Sequence, residues 1–216
     1  MLNSFYLLVN WHNFRPKLNP MKTQVYTILF LLMGVFVFSQ NPTVNTLPYA
    51  EIPEAPETYT AGTVVARMID GLGFRYYWAT EGLRDEDLKF KPSEEGRTTA
   101  ETIDHIYGLS KVIVNAALKK ENVREDEGVM DFSEKRKKTL SNIKTAADIM
   151  RTAEDLTEYK LIFVRGDNTS EFPFWNNING PIADALWHCG QVVSHRRTSG
   201  NPFNSNVSVF SGKVRN

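Results

Sequence analysis

Apolar residues recur at helical spacing in four stretches of the chain, and each stretch is long enough for a helix of several turns. The stretches cover about 61–79, 98–117, 133–153 and 182–197. The first follows Thr58 or Thr60, either of which can cap a helix, and the second opens with a capping box of Thr98 and Glu101. The pattern predicts an all-α domain, a helical bundle with four long helices and one core.

Two short apolar runs precede the last of these stretches. YKLIFV at 159–164 and EFPFW at 171–175 flank the polar segment RGDNTS. Their spacing predicts a short hairpin or two extended segments. The RGD tripeptide between them is interpreted as a turn rather than as an adhesion motif.

The first 57 residues read as three segments that lie outside the bundle. Residues 21–40 have a basic start at Lys22, an apolar run of about 11 residues and a short polar exit, as in a signal peptide that is cleaved on export. The run is short for a bilayer of about 30 Å, although a retained anchor is the alternative. Residues 1–20 are interpreted as an upstream start assigned too early, and 41–57 as a Pro-rich leader.

Charge and cysteine content narrow the function classes. Removal of residues 1–40 removes three of the 25 basic residues and none of the 25 acidic residues. The mature chain then has 22 basic and 25 acidic residues and a net charge near −3. This balance gives no electrostatic case for nucleic-acid binding. The single cysteine, Cys189, cannot form an intramolecular disulfide and is interpreted as a small buried hydrophobe. We expect an exported periplasmic or secreted bacterial protein with no stable membrane insertion after signal removal.

The last stretch carries a polar stripe beside its apolar one. Asp184, His188, Gln191 and His195 follow one another at i, i+4, i+7 and i+11, so they share one side of a helix. Such a stripe can simply face water. The stripe nevertheless holds two of the three histidines that remain after the leader, and the third, His105, lies in the second stretch among apolar residues.

The spacing of these residues suits a metal ion. Asp184 and His188 lie four residues apart, so their side chains can converge, and His105 from a facing helix can complete the set. Two histidines and one carboxylate with open positions suit zinc, nickel, manganese or ferrous iron. His195 lies roughly 10 Å along the axis from His188, which makes it a weak candidate for a catalytic proton shuttle at the mouth and a poor ligand.

The segments DHIYGLSK and HCGQVVSHRR, together with the order of elements, resemble the DinB-like superfamily of four-helix bundles, over about 58–200. The resemblance leaves 201–216 as a C-terminal tail. It implies that His105 and His188 are ligands. The family carries an H-x-x-x-H pair in the last helix, and this chain has Asp184 in place of the first histidine of that pair. The resemblance also matches Gln191 to a family glutamine that has a structural role or contacts a ligand.

The resemblance implies a metal-dependent hydrolase or a thiol or group transferase acting on an unidentified small molecule, in a homodimer as relatives often form. The absence of G-x-S-x-G, H-E-x-x-H or Cys/His/Asn patterns leaves no other catalytic apparatus to propose. The alternative is a non-catalytic bundle without metal, which uses the same positions as a polar network or binds a partner.

Overall fold

The computed structural model describes residues 46–124 and 126–215. The predicted upstream start, the signal peptide and residues 41–45 of the leader therefore lie outside the described residues. The helices and strands, in chain order, are α1 (Ala61–Thr80), α2 (Asp85–Lys89), α3 (Thr99–Ala117), β1 (Glu121–Asn122), α4 (Phe132–Arg151), β2 (Leu161–Arg165), β3 (Asn168–Phe172), α5 (Phe174–Asn177), α6 (Ala183–Thr198), β4 (Val207–Ser208) and β5 (Lys213–Val214). A 3₁₀ turn at Leu156–Glu158 and a π-helical segment at Ile178–Ile182 complete the set.

Side-chain caps define where the long helices begin. The Thr60 hydroxyl accepts a hydrogen bond of 3.1 Å from the Thr63 amide, so Thr60 and not Thr58 is the cap of α1. Thr98 and Glu101 form the expected capping box at α3. Asp131 caps α4 through the Glu134 amide at 2.7 Å. Each cap satisfies an amide that the helix itself leaves without a partner.

The long helices pack as a helical bundle. Helix α1 packs against α4 and α6, and α3 also packs against α4 and α6. Their inward side chains form one core, whose fully buried members include Ile69, Leu72, Ile103, Ile106, Leu140, Ile143, Ile182 and Val192. The predicted predominance of helix is confirmed. Because α3 and α6 are neighbours, a side chain from one can meet a side chain from the other.

A hairpin precedes the last long helix, but its second strand lies earlier than the apolar runs predict. Strand β3 begins within the polar segment, at Asn168, and Phe174 and Trp175 of the second apolar run belong to α5 instead. Strands β2 and β3 are antiparallel, with Arg165 opposite Asn168, and β1 adds to β2 in parallel. Gly166 adopts a φ of 59°, which only glycine tolerates without cost, so the RGD segment forms the turn.

The leader and the tail pack together on α1 and extend the compact unit to Leu47–Asn216. Ile52, Phe74 and Val207 form a second small core, and the Ile52 amide donates to the Gly212 carbonyl at 2.9 Å. The predicted bundle range of 58–200 leaves these contacts out. Single apolar residues among prolines and asparagines carry no periodicity from which such packing could be predicted.

A buried arginine ties the end of α6 to the end of α1. Arg196 is almost fully buried, and its guanidinium donates to the Trp78, Ala79 and Glu81 carbonyls at 2.8–3.2 Å. These carbonyls are among those that an ending helix leaves unpaired. The contact fixes α6 at the end opposite to Asp184.

No helix within residues 46–124 and 126–215 is both long enough and apolar enough to cross a membrane.

The leader contact gives a stability test. A Cβ built on Gly73 lies 2.4–2.7 Å from atoms of the Tyr49 ring, and the Tyr49 hydroxyl also donates to buried Asp70 at 3.1 Å. Gly73→Ala must displace this ring, so we expect it to lower the free energy of unfolding by about 1–3 kcal/mol in urea titrations.

The matched control is Gly190→Ala in α6, where nothing lies within 4 Å of an added Cβ. Because alanine favours a helix interior over glycine, the control should raise the free energy of unfolding by roughly 0.5–1 kcal/mol. Equal effects at the two positions would contradict the packing of Tyr49 on Gly73.

Candidate metal centre

The structure brings His105, Asp184 and His188 together between α3 and α6. One carboxylate oxygen of Asp184 lies 3.0 Å from Nε2 of His105, and the other lies 3.2 Å from Nε2 of His188. The two imidazole rings meet edge to face, with centroids 4.6 Å apart. One ligand atom from each residue falls within 4.8 Å of those from the other two. The three residues singled out in the sequence therefore form one cluster.

Helical spacing and helix packing account for this arrangement. Asp184 and His188 are one turn apart on α6, so both side chains project from the same side of the helix. His105 lies on α3, which packs against α6. The carboxylate therefore sits between an imidazole of its own helix and one of the neighbouring helix.

The chain enters α6 through helical turns that the sequence pattern does not predict. Helix α5 and the π-helical segment Ile178–Ile182 lead directly into α6, with Pro181 inside the segment. Proline has no amide hydrogen to donate and its ring clashes with the carbonyl four residues earlier. The wider π turn accommodates Pro181, and it ends two residues before Asp184.

Gln191 orients the ring of His188. Nδ1 of His188 lies 2.7 Å from Oε1 of Gln191, so Nδ1 carries a proton and donates it. Nε2 then faces an oxygen of Asp184. A neutral imidazole has only one N–H, so the contact between Nε2 and the carboxylate calls for a second proton or for a cation between them.

The donor set fits a divalent metal ion. Two ligands on a tetrahedral ion with bonds near 2.1 Å lie roughly 3.4 Å apart. The separations of 3.0 and 3.2 Å from Asp184 to the two imidazoles are close to this value. A ligating histidine whose other nitrogen donates to a fixed oxygen is the usual arrangement around protein-bound metals, and Gln191 provides that oxygen for His188.

The cluster is open on one side. The side chains of His105 and Asp184 are 34% and 43% exposed, whereas that of His188 is 11% exposed. Three protein ligands with one exposed flank leave room for a water molecule or a substrate atom on an ion. The polar stripe therefore does not simply face water at His188, although Asp184 is partly exposed.

His195 is not part of the cluster but lines a cleft that reaches His188. The cleft has a volume of about 320 Å³, and both histidines and Gln191 contribute to its wall. Nδ1 of His195 lies 3.2 Å from the hydroxyl oxygen of Thr99. Desolvation by burial lowers the pKa of His195, so the ring is neutral near pH 7.

Sequence reasoning did not identify the other side of this cleft. Arg97 and Thr102 line it near the start of α3, and Pro92 lines it from the preceding loop. Thr99, which contacts His195, follows the capping residue Thr98 directly. The capping box predicts where α3 starts. It does not predict which residues of α3 face α6.

Cys189 faces the core, as its position in the apolar stripe indicates. It is free, almost fully buried and absent from the metal cluster. Burial raises the pKa of the Cys189 thiol to about 12. The thiol therefore stays protonated at neutral pH, which suits neither a ligand nor a nucleophile.

Comparisons of the chain with protein-family models, with curated proteins and with solved structures found no match.

Proposed function

We propose that the protein is an exported, metal-dependent hydrolase or thiol or group transferase with a DinB-like four-helix bundle. The observation that carries this proposal is the placement of the Asp184 carboxylate within 3.0–3.2 Å of two imidazole nitrogens. The helix order, the caps of α1 and α3 and the neighbouring positions of α3 and α6 support the DinB-like arrangement.

The chemistry follows from the three ligands and their surroundings. A divalent zinc, nickel, manganese or iron ion held by His105, Asp184 and His188 supplies Lewis acidity towards water, a thiol or a substrate oxygen. The carboxylate lowers the net charge of the site by one relative to three histidines. Gln191 holds the His188 ring in the orientation that presents Nε2 to the ion.

His195 is the candidate proton shuttle. It lines the same cleft as His188, and its neutral ring can accept a proton near pH 7. The Thr99 hydroxyl lies 3.2 Å from Nδ1 and orients the ring. A cleft of about 320 Å³ suits a small-molecule substrate.

One observation favours the non-catalytic alternative. Asp184 already pairs with both imidazoles. When the imidazoles donate protons to this carboxylate, the cluster is a hydrogen-bonded network that links α3 to α6 without an ion. In that function the cluster would hold two helices together and bind no ion. Metal content distinguishes the two functions.

The location and partners that accompany the proposal rest on the sequence. Export follows from the segment 21–40, and the mature net charge near −3 argues against a nucleic-acid partner. We include a homodimer in the proposal because the resembled family often forms one.

Metal content tests the site directly. The protein purified without chelator and loaded with zinc should hold about one ion per chain by atomic emission, because three ligands converge. His188→Ala and Asp184→Asn should each lose most of this metal. His195→Asn, on the same helix but outside the cluster, should keep it. Full retention of metal by the first two variants, or no metal in the parent, would favour the non-catalytic function.

Gln191 gives a finer test of the same site. Gln191→Leu removes the acceptor of the His188 Nδ1 proton, so we expect zinc affinity to fall roughly 10- to 100-fold in competition with a chromogenic chelator. Ser194→Ala is the control, because the Ser194 hydroxyl donates to the Gly190 carbonyl and, within the described part of the chain, to no residue of the cluster. Unchanged affinity in Gln191→Leu would exclude this contact as a determinant of binding.

The protonation of His195 predicts a pH dependence of stability. The folded pKa lies below the unfolded value of about 6.5, so the unfolded chain binds more protons as pH falls and stability is lost below pH 6.5. The parent should therefore lose more free energy of unfolding than His195→Asn between pH 7 and pH 5. Urea titrations at both pH values measure the difference, and identical losses would contradict a desolvated His195.

Two assays test for enzymatic activity. Release of nitrophenol from nitrophenyl esters and phosphates measures hydrolysis, and reaction of a thiol with an electrophilic chromophore measures thiol transfer. Metal-dependent turnover should disappear in Asp184→Asn. His195→Asn should bind metal normally and turn over more slowly. Turnover that is equal with and without metal would refute the enzymatic proposal.

A further inference from the structure

A second, larger cleft lies on another side of α3. It has a volume of about 1360 Å³ and is bounded by α3, α4, the segment around β1 and the end of β2. Tyr107 and Lys111 line it from α3. His105, Asp184 and His188 are not among the residues that line it. The cleft is therefore separate from the candidate metal centre.

The lining of this cleft is rich in positive charge. Its basic residues are Lys111, Lys120, Arg124, Lys138 and Arg165, and its acidic residues are Glu121 and Glu127. The chain as a whole has as many acidic as basic residues, so this local excess is not a general property of the surface. An excess of one charge sign in a cleft attracts ligands of the opposite sign.

One of the two acids is already neutralised within the cleft. The Glu127 carboxylate accepts a hydrogen bond of 2.8 Å from the Tyr107 hydroxyl and pairs with Lys111 at 3.2 Å. Burial opposes ionisation of Glu127, but these hydrogen bonds outweigh it and lower its pKa. Lys138 pairs similarly with Glu134 at 3.2 Å.

Three of the cations pair with no acid among the residues that the structure describes. Within residues 46–124 and 126–215, the side chains of Lys120, Arg124 and Arg165 form no ion pair and no hydrogen bond. They come from three separate segments: the chain after α3, the chain after β1, and the end of β2. The other acid of the cleft, Glu121, forms no ion pair among the described residues either, so three positive side chains and one negative side chain of the lining are unpaired.

The remaining wall offers polar groups and an aromatic surface. Asn142 and Thr145 line the cleft from α4, and Phe163 lines it from β2. Asn115 is held in place by a hydrogen bond of 3.1 Å to Asn122. A ligand whose anionic groups meet the cations can therefore also contact amide groups and one ring.

We propose that this cleft binds a soluble small molecule that carries at least two phosphate or carboxylate groups, held by Lys120, Arg124 and Arg165. Three positive side chains in one cleft favour a ligand with two or more anionic groups. The guanidinium groups of Arg124 and Arg165 can each engage an oxyanion through two parallel hydrogen bonds. This site requires no ion at His105, Asp184 and His188, so it stands or falls independently of the proposed metal centre.

Calorimetric titration of the metal-free protein with tripolyphosphate and, separately, with citrate tests the proposal. Metal-free protein is used because both probes chelate metals. At about 0.15 M salt, at least one probe should bind with a ratio of one per chain. Lys120→Gln combined with Arg165→Gln should weaken that binding roughly tenfold or more, since two charge-assisted contacts are lost. The probe that binds identifies phosphate or carboxylate as the preferred group.

The control is Lys89→Gln combined with Lys91→Gln, which changes the net charge equally but lies outside the cleft. It should bind the probe as the parent does. Thermal unfolding of both double variants verifies that they remain folded. Failure of both probes to bind at about 10 mM, or equal weakening in the control, would overturn the proposal.

Discussion

The candidate site depends on one carboxylate between two imidazoles that come from different helices. Asp184 reaches His188 along its own helix and His105 across the packing of α6 on α3. The first contact follows from helical spacing alone, whereas the second exists only when the bundle is folded. Metal affinity and the relative position of the two helices are therefore coupled, because an ion that binds all three side chains also stabilises the folded bundle.

The rest of the fold restrains α6 so that this contact can form. At its C-terminal end, Arg196 joins α6 to the last carbonyls of α1. Nearby, buried Asp87 accepts hydrogen bonds from Ser199 and Asn201, which follow α6. At its start, the π-helical segment determines how α6 leaves the hairpin. Fixed ends reduce the conformational entropy that remains to be lost when side chains converge on an ion.

The sequence predicted those features that depend on local pattern. Thr60, Thr98 and Glu101 are caps whose residue types determine where helices begin, and the spacing of Asp184 and His188 alone placed them on one side of α6. The convergence of His105 with this pair depends on which helices are neighbours, so the sequence could offer it only as a hypothesis.

Contacts between distant segments carried no such pattern. Tyr49 packs on Gly73 and Ile52 packs near Val207, yet each is a single residue in an irregular segment. The π-helical segment could not be predicted from the sequence either, because a proline inside a helical pattern usually indicates the end of a helix. Arg165 lies about 40 residues along the chain from Lys120 and Arg124, so only the folded structure shows that it shares one surface with them.

X-ray absorption at the zinc edge of the metal-loaded protein tests the central claim most directly. We expect two imidazole nitrogens and a carboxylate oxygen at about 2.0–2.2 Å, with a further light atom from solvent, and one imidazole fewer in His105→Ala. A spectrum with a sulfur ligand, or with no imidazole scattering, would contradict a metal centre at Asp184 between the two histidines.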